Sequence, residues 1–469
     1  MRNLFRQSSR RRQRRLPSTL SAEVQLLEQR TLPAGTVIAL VAAGSITLTG
    51  DNNSNQLTIN VTATGITLTG TDGTLIRRGA RSASTVTIAG SNTFRDVNID
   101  LNGGNDALTV NVGTALAAGN LTALRNLRIN TGVGDDSVTV NNATSMSGSI
   151  TVGGGLAVDL GAGNDRLTTT AQPAPSTLVA APINVAGNVR ITGSTGDDVV
   201  ALEALTVGKH LTIETGSGND SVVFVDSTIT GNANVSLSAG NDDLDTNGLT
   251  VNGTAIFDAG AGDDGSLDIA NSFFASLVRI SLQTGNDGLE LSSEFGGVLE
   301  VTGGVGNDFL GIGDAIFSKS SSFNLGAGDD TVFIDEGEFL ASTSFDLGDG
   351  VDRLEIGFIP EIGDPLTPIF RALSSFNLGA GNDLAIIASA NFQANSSLNL
   401  GSGDDELAVN GAPLTRGEDV VITVDAGDGV DTLFYDEDSL DALGLSDLAL
   451  AANTVFENKE DLGVGIVDP

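Results

Sequence analysis

The sequence predicts an all-β fold, a right-handed parallel β-helix or solenoid with about 22 residues per coil. Three observations lead there. A short acidic glycine turn recurs along most of the chain. Its spacing is nearly constant from Asp198 to Asp352, with steps of 22, 22, 22, 23, 21, 22 and 22 residues. The residues flanking it alternate apolar and polar, as in Ser322 to Ile334, SFNLGAGDDTVFI. A constant period marks one supersecondary unit repeated in line, and period-two alternation marks strands with one buried face.

The turn is G-x-D. Its aspartates are Asp106, Asp136, Asp165, Asp198, Asp220, Asp242, Asp264, Asp287, Asp308, Asp330, Asp352, Asp383, Asp405 and Asp431, and Gly stands two residues before all 14. Four residues before the Asp, 10 of the 14 copies have Gly; the others have Asn102, Ser194, Ser238 and Gln283. The residue just before the Asp is Asn or Asp in 12, and Leu or Val follows two residues later in 12. Glycine suits a turn that needs positive φ, a conformation that costs other residues about 1 kcal/mol or more. Each unit therefore reads as strand, tight turn, strand. Coils of two or three short strands should stack about 4.8 Å apart, in the right-handed sense of parallel crossovers.

Irregular steps have local reasons. An extra Gly265 follows Asp264, and the 31-residue step from Asp352 to Asp383 contains IGFIPEIGDPLTPIF, whose three prolines mark an inserted surface loop. Phe323, Phe345, Phe376 and Leu398 share one repeat position and skip the same insertion, which predicts a buried ladder. The expected organisation is a basic leader at 1–34, first coils or a cap at 35–100, repeats at 101–436 and a C-terminal cap at 437–469 that includes SLDALGLSDLALAA.

Composition agrees with a narrow, repetitive interior. Gly accounts for 60 of 469 residues, Cys and Trp are absent, and hydrophobic residues make up 40%. The net charge of −36 conceals two regions: eight arginines lie within the first 30 residues, and from residue 31 onward the chain carries −42. Such a field repels nucleic acid and anionic lipid and attracts cations. No apolar run reaches 18 residues, so no transmembrane segment is expected; Thr36 to Ala43 is short enough to be a signal core or a first buried strand.

Stacked aspartates about 4.8 Å apart repel by roughly 3.5 kcal/mol per pair at an effective dielectric of 20. After residue 200 the only basic residues are Lys209, Arg279, Lys319, Arg353, Arg371, Arg416 and Lys459. Ca2+, which takes six to eight oxygens from carboxylates and carbonyls, fits that need. A turn preference alone would let Asn replace Asp freely, yet all 14 copies keep Asp. At the preceding position Asn and Asp alternate, which is read as turn preference.

The turn resembles the RTX, or hemolysin-type, calcium-binding nonapeptide G-G-x-G-x-D-x-U-x, complete here at Gly303 to Gly311. The resemblance spans about residues 101 to 435 and implies that the 14 aspartates and their turn carbonyls hold calcium. RTX copies follow every nine residues and bind on both edges of a β-roll; here one copy occurs per 22-residue coil, so two-sided binding is not implied. Leu27, Glu28, Gln29, Arg30, Thr31, Leu32 and Pro33 resemble the LEPR-XLL leader of large bacterial surface and secreted proteins, notably of planctomycetes, with Gln29 in place of Pro and Pro33 in place of the last Leu. That resemblance implies export to the cell surface or beyond.

The expected function is thus an extracellular or cell-surface calcium-binding solenoid with a structural or adhesive role and no enzymatic activity. An extracellular polysaccharide or protein is left open as a further partner. The alternative is a polysaccharide-binding or polysaccharide-degrading β-helix, since Asp135/Asp136, Asp197/Asp198, Asp263/Asp264, Asp329/Asp330 and Asp404/Asp405 are paired acids. Every pair belongs to the repeat, however, and neighbouring turn residues usually point apart. The lone His210 reads as a surface residue.

Overall fold

A computed structural model describes residues 35–62, 65–89, 96–112, 121–142, 150–171, 182–357, 366–409, 414–435, 437–445 and 458–461. The expected leader at 1–34 lies outside them.

The repeat folds as a parallel β-helix with three strand ladders. One coil shows the plan. Ser321–Ala327 runs into the glycine turn, Thr331–Ile334 leaves it, Glu338–Phe339 follows, and the chain returns as Thr343–Asp349 one coil along. Ser321–Ala327 pairs in parallel with Thr343–Asp349, and Thr331–Ile334 with Arg353–Ile356, in unbroken 22-residue register at Phe323↔Phe345 and Val332↔Leu354. The strands before the turn form one sheet; those after it belong to the other. Alternation decides what is buried: Phe323, Leu325, Val332, Ile334 and Phe339 point inward and are at most 1% exposed. Polar partners in between face out, as a half-buried strand requires.

The Phe ladder is present. Phe323 stacks on Phe345 with ring centroids 4.5 Å apart, and Phe345 on Phe376 at 5.3 Å. A second, longer column runs beside it through Phe274, Phe295, Phe317, Phe339, Phe370 and Phe392, at 4.7 to 5.4 Å. The two columns meet edge to face at Phe317–Phe323, Phe339–Phe345 and Phe370–Phe376. Offset stacking along each column and T-shaped contacts between them are the geometries the ring quadrupole favours.

The irregular steps fall between strands. The nine-residue excess after Asp352 lies between Arg353–Ile356 and Ile369–Phe370, with 358–365 outside the described residues, and pairing resumes at Phe339↔Phe370. The extra Gly265 is exposed, and a Cβ there would touch nothing within 4 Å.

Residues 36–89 are hairpins instead of plain coils. Thr36–Ala42 pairs antiparallel with Ser45–Thr49, and Gln56–Thr62 with Gly65–Gly70, which in turn pairs antiparallel with Thr85–Ala89. Ser45–Thr49 and Gln56–Thr62 then pair in parallel with Asp96–Asp100 and Ala107–Val112, where the solenoid proper begins. The stretch from Thr36 is therefore a strand, with Val37 and Ala39 buried. At the other end a short helix, Glu437–Leu443, buries Leu440 and Leu443 and packs on Leu414–Arg416.

Candidate cation column

The 14 repeat aspartates stand in one file inside the turn edge, at most 3% exposed. Each is fixed by its neighbour: the backbone N–H of the Asp in one coil donates to Oδ1 of the Asp in the next, from Asp106→Asp136 through Asp405→Asp431, at 2.7 to 3.1 Å. Asn55 supplies the same N–H to Asp106 at 2.6 Å. The structure thus brings all 14 predicted residues together, and it places them inward, where the sequence specified only a column along the edge.

The second oxygen is the unusual one. In 13 of the 14, Asp106 through Asp405, Oδ2 is buried without a hydrogen-bond partner. Buried polar atoms are normally paired, and an orphaned one costs about 1 to 3 kcal/mol, more if charged. In the two coils where glycine stands five residues before the Asp, a carbonyl of the next coil lies close to this oxygen. The space a Cβ on Gly193 would take lies 2.1 Å from Asp198 Oδ2 and 2.3 Å from the Thr215 carbonyl of the next coil; at Gly303 the same holds for Asp308 Oδ2 and the Leu325 carbonyl, at 2.5 and 2.2 Å. Two acceptors thus approach one another in these two coils, whereas at Asp136 and Asp220 the hydroxyls of Thr131 and Thr215 lie at the equivalent place and act to lower the carboxyl.

The glycine two residues before each Asp is held by the stacking. A Cβ on Gly262, whose φ is +152°, would lie 1.6 Å from the carbonyl oxygen of Gly240 in the preceding coil. From Gly104 to Gly403 these carbonyls receive no hydrogen bond among the described residues. At the position four before the Asp, Asn102, Ser238 and Gln283 hold positive φ without being glycine, so the turn conformation is imposed there against local preference.

Burial pushes the column's carboxyls up. Asp106, Asp165, Asp198, Asp242, Asp287, Asp330 and Asp383 rise to about 7, and Asp308 and Asp352 to about 6. Loss of hydration is the main cause in each; the N–H from the preceding coil opposes it. Asp136, Asp220, Asp264 and Asp405 are raised for the same reason. At neutral pH the file demands a proton or a cation.

A second file, one residue earlier, behaves differently. Here the side chain accepts from the next coil's backbone N–H, as in Asn241 Oδ1←Asp263 N, Asp263 Oδ1←Asn286 N and Asp329 Oδ1←Val351 N, at 2.9 to 3.2 Å. It is exposed, and either an amide or a carboxylate supplies the oxygen, which explains the mixture of Asn and Asp. Its charged members, Asp135, Asp197, Asp263, Asp329 and Asp404, never occupy adjacent coils. The buried file carries Asp in 14 successive coils with no such spacing, so a turn preference common to both files does not account for it. The paired acids accordingly divide, one inward and one outward, and do not converge as a hydrolytic pair. His210 is exposed and accepts from Asn232 N at 3.0 Å.

A cation in this file would be held by Oδ2 atoms together with turn carbonyls, because no three Asp, Glu, His or Cys side chains among the described residues converge on one point. That donor set is all oxygen, mixed in charge and open in number. It fits Ca2+ and suits neither zinc nor a thiophilic metal.

The architecture and this file define the class, an all-β solenoid with a buried carboxylate spine. No family model matches the chain and no curated protein matches it. A solved structure with which it aligns is a hyperactive, Ca2+-dependent, β-helical antifreeze protein from an Antarctic bacterium, at 18% identity over 80% of this chain and 89% of that one, with a TM-score of 0.33. Among the described residues no helix is long and apolar enough to cross a membrane.

Proposed function

We propose that the protein is a calcium-binding β-solenoid with a structural or adhesive role outside the cell. The observation that carries the reading is the file of 13 buried Oδ2 atoms without donors. Calcium would be held by those oxygens and the carbonyls of the turn glycines, and when bound it supplies positive charge and oxygen coordination to groups that otherwise oppose one another. The chain's own residues do the rest. The Oδ1 hydrogen bonds fix each carboxylate, the glycines let successive turns approach, and the apolar coils exclude water from one side of the file. Export is supported by the resemblance of residues 27–33 to a surface-protein leader, and a non-enzymatic role by the uniformity of the repeat.

Two neighbouring residues separate calcium binding from turn preference. Asp330→Asn removes a buried Oδ2 and should lower both the number of calcium ions bound and the calcium-induced rise in melting temperature. Asp329→Asn retains the exposed acceptor to Val351 and should change neither; its stability should stay within about 0.5 kcal/mol. Equal behaviour of the two variants in calcium titration refutes the assignment.

A further inference from the structure

The file does not begin with an aspartate. Gln56 pairs with Ala107, which sets Asn55 opposite Asp106 and makes it the first member. It is 0% exposed, and its backbone N–H makes the bond to Asp106 Oδ1 that each Asp makes to the next. Its side-chain nitrogen is a donor that an ionised Asp at the same place would lack. Nδ2 donates to the Asn53 carbonyl at 2.7 Å, to the Asp51 carbonyl at 3.3 Å and to Asp106 Oδ1 at 3.3 Å. Asn53 stands two residues before Asn55, the place held later by the glycines whose carbonyls receive no hydrogen bond.

We infer that Asn55 terminates the cation file: its amide nitrogen fills the first turn's oxygen cage with a neutral donor, and calcium sites begin only at Asp106. This rests on the calcium reading above. The chemistry explains the choice of residue. An ion in the first turn would have a carboxylate-bearing coil on one side only, whereas an amide satisfies the turn carbonyls without adding a charge. The arrangement is not free of cost, since Asn55 Oδ1 is itself buried without a partner, as an atom would be if the residue were selected for its nitrogen. Asn differs from Asp only in replacing one oxygen by NH2, so a single substitution should open a new site for a divalent cation.

The test counts calcium by equilibrium dialysis of the full chain, with melting followed in calcium and in chelator. Asn55→Asp should bind one more ion per chain than the unaltered protein, melt lower than it in chelator, and gain more from calcium. Asp106→Asn moves the terminating amide one coil along and should bind one ion fewer while melting in chelator no lower than the unaltered protein; it decides the matter if Asn55→Asp fails to fold in either condition. If the unaltered chain binds calcium but Asn55→Asp binds the same number, or Asp106→Asn loses none, the terminator role is overturned while the calcium reading stands. If the unaltered chain binds none, the calcium reading falls and this inference with it.

Discussion

Calcium should displace protons from the file, in an amount that depends steeply on pH. Seven carboxyls are raised to about 7 and two to about 6, against 3.8 for an unperturbed Asp. In the cation-free protein most of these groups hold a proton at pH 6 and few do at pH 8. Ion binding requires the carboxylate, so saturation should release several protons at pH 6 and few at pH 8. Calorimetric titration in two buffers of different ionisation enthalpy reads the number directly. The same shifts fix the sign of the stability change. The folded chain keeps protons that the unfolded chain has lost between about pH 4 and 7, so in chelator stability is greatest near pH 4. It then declines as pH rises through the folded values. Calcium should remove that decline. Binding at pH 6 without proton release, or cation-free stability that rises from pH 4 to 7, would refute the account of how burial sets these carboxyls.

Two substitutions test the scaffold. Phe345→Ala removes a ring stacked between Phe323 and Phe376 and should cost about 3 to 5 kcal/mol in chemical denaturation; a loss under about 0.5 kcal/mol would show that the ladder is not packed. Gly262→Ala drives a methyl into the Gly240 carbonyl and should lower the melting temperature by several degrees, whereas Gly265→Ala, with nothing within 4 Å, should be nearly silent; similar melting of the two would contradict the stacked turn.

Most of the architecture was legible because the repeat declares its own register. The spacing of the aspartates located every glycine turn, and Phe323, Phe345 and Phe376 fixed which face is core. Phe274 through Phe392 carried the same signal at steps of 21, 22, 22, 31 and 22, but far from the turn, and Phe317, Phe339 and Phe370 lie on two-residue strands, where alternation is too short to show. The hairpins before residue 90 follow from a pairing choice that period-two alternation leaves open, since parallel and antiparallel strands alternate alike. Membership of the file was plain from the invariant Asp, but its inward direction was not. Sequence spacing gives position along the turn, while the Oδ1 bonds and the orphaned Oδ2 appear only once coils are stacked. Asn55 escaped notice because DNNSNQL lacks the glycines that identified the other turns.

The central claim is that cations occupy the buried file. Its most direct test is calcium bound per chain at equilibrium, measured together with melting temperature in millimolar calcium and in chelator. The account predicts several ions per chain, and a melting temperature that falls on chelation while the apolar coils keep the protein folded at lower temperature. A chain that retains no calcium and melts identically in both conditions would contradict it, leaving the aspartates as a protonated row of turns.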